Sequence, residues 1–144
     1  MVKLLALKPG WALVLYVVLD FFCVGLGMGV PIFCILLGFP VGWFLARYVV
    51  KEPQEISAVL RRVLKYSALA AGITFVGMAL LWGWCFVLLL DPNFDAANFG
   101  IPLILYEPRA SLAGWLILMV VISPFLQFLM MLFGAVMGVV RGKG

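Results

Sequence analysis

Residues 11–50 read WALVLYVVLDFFCVGLGMGVPIFCILLGFPVGWFLARYVV, an apolar run of 40 residues whose charged side chains are Asp20 and Arg47. A single straight helix of this length would extend roughly 60 Å, about twice the thickness of the hydrocarbon core of a bilayer. The run therefore has to fold back on itself, and it decides how the rest of the chain is arranged.

Glycine and proline mark the point at which the chain folds back. Glycines alternate along 25–29, where they permit turn conformations, and Pro31 suits the first turn of a following helix. We therefore expect spans at about 9–24 and 31–50, joined by a tight Gly-rich hairpin. A re-entrant hairpin, which does not reach the far side of the membrane, is the alternative geometry. Both geometries return the chain to its starting side.

The composition of the whole chain places it in a membrane. Of its 144 residues, 67% are hydrophobic and 11% are charged, and the mean hydropathy is +1.24. An average soluble domain is about 45–50% apolar and about 25% charged. A soluble chain of this composition would lack the polar side chains needed to cover its surface, and its continuous apolar runs do not suit a transmembrane β-barrel. We expect an all-α integral membrane protein whose main surroundings are the lipid bilayer.

Two further apolar runs complete the predicted bundle. The runs at 66–90 and 112–140 are 25 and 29 residues long, and each is long enough for one span. A charged segment at 51–65 and a loop at 91–111 separate them from each other and from the first run. The chain is thus predicted to be a single membrane domain, 1–144, with four transmembrane helices.

The basic residues predict the orientation of this bundle. With four spans, Arg109 lies on one side and nine basic residues lie on the other, whereas three spans would divide them seven to three. Cytoplasmic loops carry the excess of Lys and Arg, so we expect both termini in the cytoplasm, in a plasma or inner membrane. The net charge of +4 is then a signal of topology, and we expect no nucleic-acid partner. The nine residues are Lys3, Lys8, Arg47, Lys51, Arg61, Arg62, Lys65, Arg141 and Lys143.

Several kinds of chemistry are missing from the sequence. The chain has no histidine, and its three cysteines form no CxxC pair, so the sequence predicts no metal site, no cofactor and no enzymatic activity. Cys23 and Cys34 flank the glycine turn almost symmetrically. They are interpreted either as buried free thiols or as a pair facing each other across the hairpin.

Asp20 is the acidic residue that lies inside an apolar run. A carboxylate within the membrane costs several kcal/mol unless it is paired, hydrated or protonated, which makes Asp20 a candidate ion- or proton-binding residue. It lies 11 residues after Pro9, roughly 16 Å along the helix, and therefore close to the predicted hairpin. Hydrogen bonding to water or to turn amides there is the structural alternative.

Prolines within two of the spans predict helix breaks. The candidates are Pro40 in the second span and the pair Ser123 and Pro124 in the fourth, with Gln127 one turn later. Proline removes an amide donor and clashes with the carbonyl four residues earlier. Broken helices line substrate sites in many transporters, but kinks also occur in ordinary bundles, where side chains such as Ser123 and Gln127 satisfy the freed carbonyl.

Glycine pairs four residues apart predict close packing of helices. The spacing alone does not say whether they join helices of one chain or of two, and we favour Gly134 and Gly138 for a face between chains. The candidate packing glycines are Gly25, Gly29, Gly38, Gly42, Gly134 and Gly138.

Two segments outside the predicted spans combine polar and apolar residues. The cytoplasmic segment 51–65 is amphipathic, with apolar residues at helical spacing, and is interpreted as a helix on the inner leaflet, as an extension of the third span, or as a docking site for a partner. The outer loop, 91–111, contains an apolar patch at 101–106 that either packs on the bundle and the membrane interface or binds a partner subunit.

The sequence leaves two hypotheses for function. The first is a membrane-embedded structural or assembly subunit, an interaction partner of a larger complex that associates with other membrane subunits or with itself as a homo-oligomer. The second is a small oligomeric proton- or cation-coupled transporter in which Asp20 binds the ion and the breaks at Pro40 and Pro124 open the path.

Overall fold

The computed structural model describes residues 9–26, 31–49, 56–101, 103 and 105–141. Within these residues all regular structure is helical, which confirms the predicted all-α class. The glycine turn itself, including Gly29, the first eight residues and the segment 50–55 lie outside the described residues, so the predicted hairpin is not described. The helices are α1 (Pro9–Leu26), α2 (Ile32–Val49), α3 (Ile56–Leu90), α4 (Pro108–Ile117) and α5 (Ser123–Arg141), with a π-helical turn at Leu118–Ile122 that makes α4 and α5 one continuous rod.

Two of the helical rods are long and apolar enough to cross a membrane. They cover Ser57–Leu90, with 34 residues, and Pro108–Val140, with 33 residues. α1 and α2 contribute the shorter apolar helices Trp11–Val24 and Ile32–Tyr48. The coarse expectation of an apolar helical protein with membrane-spanning helices is therefore supported.

Contacts between the helices show that successive helices alternate in direction. Tyr16 of α1 lies at Ala70 of α3, and the Phe21 ring lies beside Gly77, so both helices advance together and are parallel. α2 and α5 are parallel for the same reason, because Gly42 meets Met131 and Gly138 meets Ala46. α3 is antiparallel to the rod formed by α4 and α5. Cys85, near the end of α3, packs with Leu112 of α4, whereas Val63, near the start of α3, packs with Ala135 of α5.

Glycines allow the backbones of α2 and α5 to touch. A Cβ atom added at Gly42 would overlap the Met131 carbonyl, and one added at Gly134 would overlap the Phe39 carbonyl. One added at Gly138 would lie 3.0 Å from the Ala46 Cβ, and Gly38 faces the Gln127 carbonyl in the same way. The expectation that Gly134 and Gly138 form a face between chains is therefore wrong, because α2 of the same chain occupies that face.

The buried side chains form three layers along the bundle. The layer near the outer loop is the largest and is filled by residues such as Cys34, Met78 and Leu116. The layer at the other end is small and consists of Ala46, Val63 and Ala135, with partly buried neighbours. Between them lies a thin apolar layer of Tyr16, Ala70 and Met131. The buried polar side chains of three helices meet next to this middle layer.

The described part of the amphipathic segment, 56–65, is the beginning of α3. It continues into the apolar part of the helix without interruption, and Val63 is buried between α2 and α5. Arg61, Arg62 and Lys65 are exposed. Residues 56–65 therefore form an extension of α3, which is one of the arrangements expected from the sequence. Residues 51–55 lie outside the described residues.

The outer loop is partly packed on the bundle. Nη2 of Arg109 donates to the carbonyl oxygens of Asp91, Pro92 and Phe94 at 3.0, 2.6 and 3.4 Å, which fastens the start of the loop to α4. The Asn98 side chain donates to the Asp95 carboxylate and holds the pKa of that carboxyl below its ordinary value. Phe94, Ala96, Phe99 and Ile101 pack against the outer layer, whereas Leu103, Leu105 and Tyr106 are exposed.

Candidate functional site

Asp20 lies on the inner face of α1. Its side chain is 2% exposed and Tyr16, one helical turn earlier, is 7% exposed, whereas Val18 and Phe22 on the outer face are 60% and 62% exposed. Residues four apart in a helix lie on the same face. Tyr16 and Asp20 therefore form a polar stripe on the side of α1 that faces the bundle.

Both carboxylate oxygens of Asp20 accept hydrogen bonds from other helices. The Thr74 hydroxyl on α3 donates to Oδ2 at 2.8 Å, and Nε2 of Gln127 on α5 donates to Oδ1 at 2.9 Å. The second proton on Nε2 is donated to the Tyr16 hydroxyl oxygen at 3.1 Å. Asp20 thus joins three helices through uncharged donors.

The Tyr16 hydroxyl extends this network by one further bond. It lies 2.8 Å from the Thr74 hydroxyl oxygen and 3.1 Å from the Ala70 carbonyl oxygen. Thr74 has one hydroxyl proton, and when it is directed at Asp20 the Tyr16 proton is donated to Thr74 or to Ala70. The Thr74 hydroxyl and the Gln127 amide then both donate to the carboxylate. Such an arrangement is complementary to an ionised acid.

Gln127 has a buried acceptor atom that is not used. Its side chain is completely buried, and its Oε1 atom has no hydrogen-bond partner among the described residues. A protonated carboxylic acid needs an acceptor for its own O–H group, and a half-turn of the amide would direct Oε1 toward Asp20 and Tyr16. The Gln127 amide therefore suits both protonation states of Asp20.

No cation of the protein lies close to Asp20 in the helices. The stretches 9–46, 66–108 and 110–140 contain no Lys or Arg. Among the described residues there is also no group of three His, Cys, Asp or Glu that would hold a metal ion. Among the described residues, the groups that donate to an ionised Asp20 are neutral, which is a costly state away from water.

The helix that carries Gln127 contains a π-helical turn just before α5. Pro124 has no amide proton, and the residue before it, Ser123, donates both its backbone N–H and its hydroxyl to the Leu118 carbonyl, the hydroxyl at 2.8 Å. A π-helical turn adds a residue to the helix. Gln127 lies one turn after this interruption and is fully buried.

The structure places the predicted site residues in different roles. Asp20 and Gln127 meet directly, although the sequence analysis assigned Gln127 to a freed carbonyl, and the Ser123 hydroxyl donates to the Leu118 carbonyl. α2 continues through Pro40 as helix, and Pro40 lines a cleft. Gly25 lies in the last turn of α1. Cys23 and Cys34 are free thiols, so the disulfide alternative is not observed.

Tyr16 and Thr74 are site residues that the sequence analysis did not select. Tyr16 carried a usable signal, because it precedes Asp20 by four residues and lies too deep in its span for an interfacial role. Thr74 carried none, since a threonine hydroxyl in a membrane helix ordinarily bonds its own backbone, as Thr74 also does with Ala70 at 3.3 Å.

An apolar cleft opens beside the network. It has a volume of about 560 Å³ and lies between α1, α2 and α3, with Met131 of α5 at its floor. Tyr16 belongs to both features, since its ring lines the cleft and its hydroxyl belongs to the network. Asp20, Thr74 and Gln127 do not line the cleft, so a molecule in it would touch the network only through Tyr16.

The chain matches no protein-family model, no curated protein and no solved structure. Its interpretation depends on the geometry of its own residues.

Proposed function

We propose that the protein is a four-span membrane protein that couples the transport of a small molecule to the binding and release of a proton at Asp20. The observation that carries this proposal is a fully buried carboxylate held only by neutral donors from two other helices. An ionisable group in that position is costly, and its most direct use is to change its charge during a functional cycle.

The proposed orientation places both termini in the cytoplasm. The alternating helix directions support four crossings, because an even number of spans returns the chain to its starting side. The described basic residues Arg47, Arg61, Arg62, Lys65 and Arg141 then belong to helix segments at one end of the bundle, with Arg109 at the other. We call the end of the bundle that carries Arg47, Arg61, Arg62 and Lys65 the basic end. The positive-inside rule puts this end in the cytoplasm.

The geometry favours a proton over a metal ion as the coupling ion. Thr74 and Gln127 contact the two carboxylate oxygens at direct hydrogen-bond distances of 2.8 and 2.9 Å. A hard cation such as Ca²⁺ prefers six or more oxygen ligands, and Mg²⁺ demands an octahedral set. A single carboxylate whose two oxygens already accept from an N–H and an O–H donor is poorly suited to bind Ca²⁺ or Mg²⁺. A proton needs only one carboxylate oxygen to bind and one acceptor for the resulting O–H group.

Protonation of Asp20 is expected to loosen α1. In the ionised state both carboxylate oxygens hold α1 to α3 and α5, but a protonated acid accepts more weakly at the oxygen that carries the proton. Much of the rest of α1 is exposed, including Trp11, Val14 and Phe22 at 65%, 51% and 62%. The network is thus a principal attachment of α1, and its protonation would shift α1 beside the cleft.

Infrared titration tests this proposal without knowledge of the substrate. In proteoliposomes, the wild-type chain should show a carboxylic acid band that appears and disappears with pH, and a pH jump should produce a transient current on a solid-supported membrane. Asp20→Asn should remove the Asp20 component of this band, while the other five acids still contribute, and should abolish the current. Asp91→Asn, which removes an exposed acid in the loop, is the matched control and should retain the Asp20 component and the current. An Asp20→Asn chain with the wild-type current would contradict the proposal.

An assembly role is the second candidate, and the exposed part of the outer loop supports it. Leu103 and Leu105 are 53% and 52% exposed, and Tyr106 is fully exposed. Grouped apolar side chains of this kind are typical of protein contacts. A stoichiometric membrane partner, or a homo-oligomer, that is lost on Tyr106→Ser would favour this role. A chain that is monodisperse and alone in mild detergent would oppose it.

A further inference from the structure

The cleft beside Tyr16 has the shape of a site for one alkyl chain. Its wall on α2 extends from Leu37 to Tyr48, eleven residues or about 16 Å along the helix axis. The wall is apolar almost throughout and open along one side, where Leu13 and Leu69 are 41% and 51% exposed. An extended hydrocarbon chain fits an apolar trough of this length.

The cleft leads to the basic end of the bundle. Tyr48 and Tyr66 line the part of the cleft nearest the basic end, where α2 ends and α3 begins. Tyr16 and Leu37 line the part that lies deepest in the bundle. Tyrosines are enriched at the headgroup level of membranes, and this position suits them. The cleft therefore extends from a predicted membrane interface toward the middle of the bundle.

Two basic residues of α3 precede the residues of α3 that line the cleft. Arg62 precedes the cleft residue Tyr66 by four positions, and Lys65 precedes the cleft residue Leu69 by four, which puts them on or at the edge of the same helix face. Arg61 lies about 140° around the helix from Tyr66, a further 40° beyond Lys65, and is therefore outside the cleft face. Within the described residues, Arg62 and Lys65 form no ion pair or hydrogen bond, while Arg47 lies over the Trp43 ring at 5.3 Å.

We propose that this cleft binds an anionic phospholipid of the surrounding bilayer. One acyl chain occupies the cleft and contacts the Tyr16 ring, and the phosphate group is bound by Arg62 and Lys65. A zwitterionic lipid such as phosphatidylcholine also offers a phosphate, but its own ammonium group offsets that charge, and a free phosphate would leave the apolar cleft empty. An anionic lipid matches both the cleft and the two cations, and basic residues at a membrane surface are favoured by anionic headgroups.

This inference rests on the membrane location proposed above but not on proton coupling. The occupant touches the ring of Tyr16, whose hydroxyl accepts from Gln127, so lipid binding and the Asp20 network share one side chain. Lipid binding would nevertheless persist in a chain that does not couple to protons. The two proposals therefore fail separately.

Spin-labelled lipids provide the test. The purified chain is reconstituted in phosphatidylcholine vesicles that contain spin-labelled phosphatidylglycerol or spin-labelled phosphatidylcholine, and the motionally restricted fraction is measured by electron paramagnetic resonance. We expect phosphatidylglycerol to be preferred several-fold. Arg62→Ala should remove most of this preference, whereas Arg61→Ala, an equal loss of charge outside the cleft face, should retain it. Equal losses in the two variants would show general surface attraction and overturn the proposal.

Filling the cleft tests the acyl-chain part of the site. Ala12→Phe places a ring in the cleft and should displace a restricted lipid, whereas Ala68→Phe adds the same ring to an exposed position of α3 outside the cleft. A restricted fraction that is unchanged in Ala12→Phe would contradict the proposal. Asp20→Asn should leave the phosphatidylglycerol preference in place, which separates this result from the fate of the proton site.

Discussion

At the scale of single residues, Asp20 is explained by its partners. A buried carboxylate loses its hydration, and here two donors replace the water: the Thr74 hydroxyl at 2.8 Å and the Gln127 amide at 2.9 Å. These partners lie 54 and 107 residues away along the chain. Sequence reasoning found the acid because it is out of place in an apolar run. It selected Gln127 for a different role and did not select Thr74, because a threonine hydroxyl is ordinary in a membrane helix.

Removal of one donor should have a measurable cost. Thr74→Val keeps the shape of the side chain but leaves Oδ2 of Asp20 without a partner, so we expect the free energy of unfolding to fall by about 1–3 kcal/mol. Denaturation in detergent micelles measures this change. Thr74→Ser retains the hydroxyl and is the matched control, with an expected loss well below that of Thr74→Val. A loss in Thr74→Ser with Thr74→Val as stable as the wild-type chain would indicate that packing of the methyl group, and not the hydrogen bond, matters at this position.

At the scale of helices, α2 and α5 form the most closely approached pair. Small residues let their backbones touch, and in a membrane such contact replaces the hydrophobic driving force that lipid does not provide. The spacing of the glycines predicted that a close contact exists. It did not predict the partner, because a glycine face is equally suited to a helix of the same chain or of another chain.

Alanine at these glycines should separate the two helices. A Cβ atom at Gly42 would overlap the Met131 carbonyl, which belongs to the backbone and cannot rotate away. We expect Gly42→Ala to lower the free energy of unfolding by about 1–3 kcal/mol or more. Gly72→Ala is the control, because nothing lies within 4 Å of its Cβ position, and the higher helix propensity of alanine should leave that variant neutral or more stable. A neutral Gly42→Ala variant would contradict the close packing.

At the scale of the whole molecule, charge and helix direction agree. The alternating directions of the described helices place the start of α1, the end of α2, the start of α3 and the end of α5 at the same end of the bundle, and five described basic residues lie there. Such an asymmetry is the usual determinant of orientation in small membrane proteins. The proposed topology therefore has two independent supports.

Cysteine labelling checks this topology. Tyr106→Cys places a thiol in the exposed part of the outer loop, and Arg61→Cys places one on the exposed start of α3. In intact cells a membrane-impermeant maleimide should label Tyr106→Cys, and it should label Arg61→Cys only after the membrane is permeabilised. The wild-type chain, whose three native thiols are free, gives the background. Labelling of Arg61→Cys in intact cells would contradict a cytoplasmic basic end.

The sequence by itself determined the properties that depend on composition and local order. Apolar runs interrupted by charged segments predict helices and a membrane environment, because the desolvation of backbone and side chains is a local cost. The distribution of Lys and Arg predicts orientation in the same additive way. Asp20 was identified for the same reason, as a single costly residue.

Only the tertiary structure decided which groups meet. Tyr16, Thr74 and Gln127 gather around Asp20 because parallel and antiparallel packing brings distant faces of three helices together. The glycine faces met within the chain, and the apolar cleft arose where α1 leaves space beside α2 and α3. Such juxtapositions depend on the register between helices, and register is a long-range property that composition and periodicity do not encode.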